Sequence, residues 1–352
     1  MKKIRVVHLI STDVFSGAEN VACQIINLFK KNNCYDEMIY ISKIGKNKRN
    51  LQDRNIQYYQ INKFSYSEIK KAIDFLKPDV IHAHDIKASI IAAFFCKKCR
   101  IISHVHANHE NMRKICLKTI IYNYFVSKFS TIFWVSNSAI DNYIFKKNVV
   151  DKSKVLYNVI DPDEIKNKIR VDNNIYNKFD IIYLGRLTYQ KNPQRLMNIL
   201  KLICDKNQDI KVAIIGNGEY SNYVSNFIIE NRLTDNITYF GFLSNPYKIL
   251  SNSKLMLMTS RYEGTPMCVL EAMSLGIPIF STPTDGMKDI INSKNGFLSD
   301  DDNILISKII DYIKDNKYIS KESVITEFNK INNINNYLKI IDDSYRKDLK
   351  ND

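Results

Sequence analysis

Short apolar runs alternate along this chain with segments whose apolar residues recur every three or four positions, as strands alternating with helices do. The runs at 4–10, 38–42, 56–61, 79–83, 100–106 and 132–136 contain few polar breaks. They predict parallel strands buried on both faces, with helices over 21–29, 68–76 and 138–145 as covering layers. The second of these helices stops before Pro78. The theme repeats at 179–184, 211–215, 237–243, 254–259 and 277–281. Between the halves, 162–177 is polar and Asn-rich, the composition of a linker, and Asp161-Pro162-Asp163 before it reads as a turn. The stretch 304–350 is helical in pattern and highly charged. An α/β chain of two domains is expected, 1–160 and 178–325, joined by 161–177 and closed by a terminal helix within 326–352.

The second half carries the densest chemistry. After the run 254–259 comes Arg261-Tyr262-Glu263-Gly264-Thr265-Pro266-Met267-Cys268-Val269-Leu270-Glu271. Proline suits a first helical turn, so a helix is expected to open near Pro266. The unpaired amides of such a turn, backed by the helix dipole, attract anions. Glu263 precedes those amides and Glu271 follows them, and a carboxylate beside a phosphate is suited to binding hydroxyls rather than the phosphate itself. A diphosphate flanked by hydroxyl-bearing groups describes a nucleotide sugar. Upstream, Gly185-Arg186-Leu187-Thr188-Tyr189-Gln190-Lys191-Asn192 places two cations after a predicted strand, Arg as a planar fork and Lys as a point charge.

Together these stretches resemble the retaining family 4 glycosyltransferases, strongly over 180–300 and moderately over 1–160. The resemblance implies a GT-B fold, two facing Rossmann-like domains with a deep cleft, and closure of that cleft on the donor. It implies that Arg186 and Lys191 neutralise the departing diphosphate and that Glu263 contacts the donor sugar. Thr265, Pro266, Met267, Cys268 and Val269 would surround the pyrophosphate, and Glu271 the ribose. Phe242 and Leu243 lie in the loop where the family seats the base, and Gly216 marks a tight turn in the same donor set. Gly17 matches the second glycine of the family's first loop, with Ser16 replacing the first. Val159 likewise replaces the glycine of the family's Asn-Gly-Ile-Asp. By position, His106 matches the histidine that faces the donor sugar, with His84, His104 and His109 as second choices. The implied activity is transfer of a sugar, UDP-linked by preference, to a glycan or lipid-linked acceptor in surface polysaccharide or O-antigen synthesis, with no cofactor and no metal. A nucleotide-sugar epimerase of the same fold is the alternative.

All six histidines (His8, His82, His84, His104, His106 and His109) fall in the first 110 residues. Period-two spacing puts His82 with His84, and His104 with His106, on shared strand faces, which suits a metal site. It equally suits the carboxyl ends of adjacent parallel strands, where an open α/β sheet forms its ligand crevice. The second reading is preferred, because no carboxylate or thiolate partner stands at recognisable metal spacing.

Charge changes the picture less. The net +14 invites a nucleic-acid or anionic-lipid partner, but Asn, Lys and Ile abound together, as an AT-rich gene would produce. A basic nucleic-acid-binding protein is the second alternative, but with no aromatic-basic recognition motif no nucleic-acid partner is expected. Residues 111–129 combine basic residues with an apolar, aromatic face, so a helix there suits either an anionic membrane surface or the core. The first ten residues read as a strand rather than an export signal, and no apolar run is long enough to span a bilayer. Seven cysteines without an export signal suggest reduced thiols, Cys96-Lys97-Lys98-Cys99 lacking a second pair for zinc. A cytoplasmic protein, peripheral on the inner face of the membrane, is expected.

Overall fold

A computed structural model describes residues 4–12, 17–31, 37–43, 47–106, 110–315 and 318–347. His109 lies outside them. The chain divides into two compact units, Met1–Asn158 with Ile334–Asp352, and Val159–Asn333.

The first unit holds β1 (Arg5–Leu9), β2 (Glu37–Lys43), β3 (Tyr58–Ile61), β4 (Val80–Ala83), β5 (Arg100–Val105), β6 (Phe129–Trp134) and β7 (Ser153–Val155). They form one parallel sheet in the order β3-β2-β1-β4-β5-β6-β7. The second unit holds β8 (Phe179–Leu184), β9 (Val212–Ile215), β10 (Ile237–Gly241), β11 (Ser253–Met258), β12 (Ile279–Ser281) and β13 (Gly296–Leu298), ordered β10-β9-β8-β11-β12-β13 and also parallel. Each is therefore a doubly wound, Rossmann-like sheet whose order reverses once, at β1/β4 and at β8/β11. Loops leaving the carboxyl ends of strands at such a reversal diverge and leave room for a ligand.

The expected strands form because their residues are apolar on both faces. Val6, Val7, Ile81 and Ile102 in the first unit, and Ile181, Ile214 and Leu257 in the second, have no exposed surface. Each unit has its own core.

Several expectations change. The expected linker is helical over Pro162–Arg170: Asp161 caps it through Asp163 N, Pro162 fits its first turn, and Ile165 is buried in the second unit. The helix expected over 138–145 is shorter, Asn137–Asp141. The charged tail forms three helices, Asp302–Lys314, Lys321–Ile331 and Ile334–Arg346; the first two belong to the second unit and the last to the first unit. Residues 111–129 do not form one helix. A 3-10 turn, Glu110–Arg113, precedes the helix Leu117–Phe125, and a second turn, Val126–Lys128, follows it. That helix is neither wholly core nor wholly surface: Thr119, Tyr122 and Phe125 are buried, whereas Leu117, Ile120 and Tyr124 are exposed. Finally, Cys96 and Cys99 are joined as a disulfide rather than held as free thiols, their Cα atoms 5.8 Å apart, within the reach of a bridge.

Candidate active site

In the second unit, the loops after β8 and β11 meet at the strand-order reversal. Asn192 turns the first loop with φ 54° and ψ 59°, a left-handed conformation that asparagine tolerates, and opens the helix Pro193–Lys206. The Thr259 hydroxyl donates to the Lys191 and Asn192 carbonyls, both at 3.2 Å. Arg261 N donates to Gln190 O at 2.8 Å, and the Arg261 guanidinium reaches Asn192 Oδ1 at 2.9 Å while lying over the Tyr189 ring. Gln190 Nε2 returns a bond to Tyr262 O at 3.1 Å.

This stitching brings together two residues 72 positions apart: Lys191 Nζ lies 2.6 Å from Glu263 Oε1, with both side chains nearly buried. Burial disfavours the Lys191 ammonium, but the Glu263 charge and hydrogen bond outweigh it and hold its pKa above the ordinary value. A charged lysine is thus fixed in place at neutral pH. Arg186 is exposed at the mouth of the same loop. The helix Met267–Ser274 follows, with Pro266 at its N-cap, a residue that offers no side-chain cap. Thr265 is buried, and Val269 N and Leu270 N turn back to Pro266 O. Burial pushes the Cys268 thiol up to about 11, despite Lys191 nearby, which makes it an apolar wall rather than a nucleophile. One turn on, Glu271 accepts from Tyr247 Oη at 3.1 Å.

The turn after β9 closes against the loop after β8. Gly216 takes φ +136°, and a Cβ there would sit 1.9 Å from Gly185 O. Leu187 N donates to Asn217 O, and Tyr189 N to Glu219 Oε1. Gly216 N donates to Gly241 O at 2.7 Å, tying in the end of β10; beyond it Phe242 is largely exposed and Leu243 half-buried.

One residue escaped notice in the sequence. Gly286 N donates to Glu263 O at 3.3 Å, and a Cβ on Gly286 would stand 1.5 Å from Gly264 O. The local signal is Thr284-Asp285-Gly286 just past β12, where the helix Asp285–Ile290 opens.

In the first unit, Gly17 opens the helix Gly17–Lys31, exposed and with nothing within 4 Å of an added Cβ. The histidines gather where β1, β4 and β5 lie side by side. His8, His82, His84 and His104 have no exposed surface, and His106 is half-buried. His8 Nδ1 meets His84 Nε2 at 2.9 Å, and His84 Nδ1 meets His106 Nε2 at 2.9 Å. Separately, His82 meets Tyr345 Oη at 2.7 Å and His104 Nδ1 at 3.2 Å. Burial drives all five imidazoles well below their usual pKa, His8 and His106 to about 3, so they are neutral at pH 7.

Residues 165–330 match the family described as "Glycosyl transferases group 1", and residues 39–164 match "Glycosyltransferase Family 4". The chain is a glycosyltransferase, matched in succession over 39–330 by these two family models. An uncharacterized glycosyltransferase of Methanocaldococcus jannaschii is 31% identical over 245 residues, 64% of this chain and 60% of that protein. A protein of Escherichia coli named UDP-Gal:alpha-D-GlcNAc-diphosphoundecaprenol alpha-1,3-galactosyltransferase is 26% identical over 84% of each chain. Anabaena HepE, solved in complex with UDP-glucose, superposes with a TM-score of 0.81 at 17% identity, covering 98% of this chain and all of that one. The fold of this glycosyltransferase is GT-B, two Rossmann-like domains, as the two sheets indicate.

Proposed function

We propose that the protein transfers a sugar, with retention of configuration, from a nucleoside diphosphate sugar to a glycan or lipid-linked acceptor in surface polysaccharide synthesis. The observation that carries this reading is the buried Lys191–Glu263 pair at the strand-order reversal, beside the opening amides of the helix Met267–Ser274 and the exposed Arg186. Departure of a nucleoside diphosphate builds charge on its phosphate oxygens. Lys191, Arg186 and the amides of Met267 and Cys268 supply fixed positive potential for that charge. Glu271, held by the Tyr247 hydroxyl, accepts from ribose hydroxyls. Glu263 positions the sugar, and His106 is assigned the same task by resemblance. Phe242 and Leu243 flank the base. No metal is needed for this chemistry, because the protein's own cations do the neutralising. UDP is favoured as the nucleotide, in keeping with the names of the Escherichia coli and Anabaena proteins.

Thermal denaturation with a panel of nucleoside diphosphates and their sugars tests the donor site, since ligand bound only to the folded state raises Tm. A rise with uridine diphosphate is expected, lost in Arg186→Ala and Glu271→Ala. No rise with any nucleotide, in folded protein, would end the donor assignment.

Among the described residues, no helix is long and apolar enough to cross a membrane. A peripheral seat is proposed at Ile115, Leu117, Ile120 and Tyr124, which are exposed beside Arg113, Lys114 and Lys118. Apolar residues rimmed by cations match an anionic headgroup layer, which also holds a lipid-linked acceptor. Leu117→Glu with Ile120→Glu, both already solvent-facing, is expected to lower sedimentation with phosphatidylglycerol vesicles about tenfold and leave Tm unchanged. Equal sedimentation of both proteins would refute the seat.

A further inference from the structure

Five neutral imidazoles packed together pose a bookkeeping problem. Each has one N–H and one lone pair, so a chain of them uses one of each per link and leaves one of each at its ends. In the first chain the ends are His8 Nε2 and His106 Nδ1, and in the second chain the free end is His104 Nε2. None of the three has a partner among the described residues. Unsatisfied buried polar atoms are costly, and a ligand at His104 Nε2 would remove one of the three. His84, His104 and His106 each offer a ring nitrogen within 4.8 Å of the other two.

We propose that His84, His104 and His106 bind a divalent transition cation of the zinc class. Neutral imidazole is the ligating form, and nitrogen ligands with no sulfur or carboxylate suit zinc, cobalt, nickel or copper rather than magnesium or calcium. A metal at 2.0–2.1 Å from two imidazoles in tetrahedral geometry sets their nitrogens roughly 3.3 Å apart. His84 Nδ1 and His106 Nε2 stand at 2.9 Å, so the rings part by a few tenths of an ångström to admit it. Coordination also resolves the tautomers. With His84 Nδ1 on the metal, its Nε2–H donates to His8 Nδ1. With His104 bound through its partnerless Nε2, its Nδ1–H donates to His82 Nε2, and His82 passes its own Nδ1–H to Tyr345 Oη. Each of these two ligands thus gains the outer hydrogen bond that metal-bound histidines characteristically have. His106, the half-buried member of the three, binds through Nε2 and keeps Nδ1–H for the sugar-positioning task assigned to it above. All three ligands belong to the first unit, so binding needs no nucleotide.

Chelator-treated full-length protein, free of nucleotide, is titrated with cobalt(II) and then zinc(II). One equivalent of cobalt is expected to give the intense visible bands of a tetrahedral nitrogen site, discharged by zinc, with zinc raising Tm. His104→Gln and His84→Gln are expected to weaken binding at least about tenfold. X-ray absorption at the zinc edge of the wild-type protein provides a check that does not depend on the variants folding, with three imidazoles expected. Absence of the bands, an oxygen-dominated zinc shell, or undiminished binding in folded His104→Gln would each overturn the proposal.

Discussion

Lys191→Met is expected to cut sugar transfer by about 10²–10³-fold, the usual effect of removing one fixed donor from developing anionic charge. The same change also destabilises the fold. Lys191 and Glu263 are nearly buried and 2.6 Å apart, so the substitution strands a carboxylate without its counter-charge. Breaking such a pair from one side costs about 3–5 kcal/mol. The two effects separate in the double variant: adding Glu263→Gln to Lys191→Met should restore most of the lost stability and none of the activity. Urea denaturation and initial rates, measured on wild type, both single variants and the double variant, decide the matter. Full turnover in folded Lys191→Met would remove the residue from the leaving-group role. A double variant no more stable than Lys191→Met would show that the pair is not what holds the loops.

Gly286→Ala is expected to be nearly as damaging although it changes no functional group. The added methyl would sit 1.5 Å from Gly264 O, a position no packing adjustment of side chains can relieve, because the obstacle is backbone. The loop carrying Glu263 must retreat, and a displacement of about 1 Å at a reacting centre can cost about 10²-fold in rate. The Glu263 O to Gly286 N hydrogen bond is lost with it. Donor-induced thermal stabilisation should shrink in parallel with kcat/KM; unchanged values of both would mean that the loop tolerates the shift.

The contrast between these two positions shows what local sequence can and cannot carry. The strands were legible because a parallel strand covered on both faces must be apolar throughout, as Ile181 and Ile182 or Leu255 and Leu257 are. Arg186, Lys191 and Glu263 were legible because each lies in the connection that follows such a strand, and Glu271 because it sits inside the helix that the second of these connections opens. Gly286 was not, since its importance comes from a carbonyl 22 positions earlier that folding brings alongside. The histidines were visible as a set, and their strand faces followed from period-two spacing. Their burial was not, because it depends on the covering layers, and His82 finds its partner in Tyr345, 263 residues away. The tail expected as a single terminal helix divides at 333/334 for a related reason. The helix Lys321–Ile331 packs on the helix Met267–Ser274, whereas the helix Ile334–Arg346 packs on β5 and on the helix Gly17–Lys31 of the first unit, with Tyr345 against His82 and Phe29.

That last division bears on how the protein is made. The second unit is one unbroken length of chain, 159–333, and holds every strand of its own sheet. The first unit is split: its seven strands leave the ribosome early, but Tyr345, which closes against His82 and Phe29 and whose carbonyl receives Arg100, leaves only after the whole second unit. The half synthesised first is therefore completed last, and until then its histidine-rich interior lacks the wall that seals it.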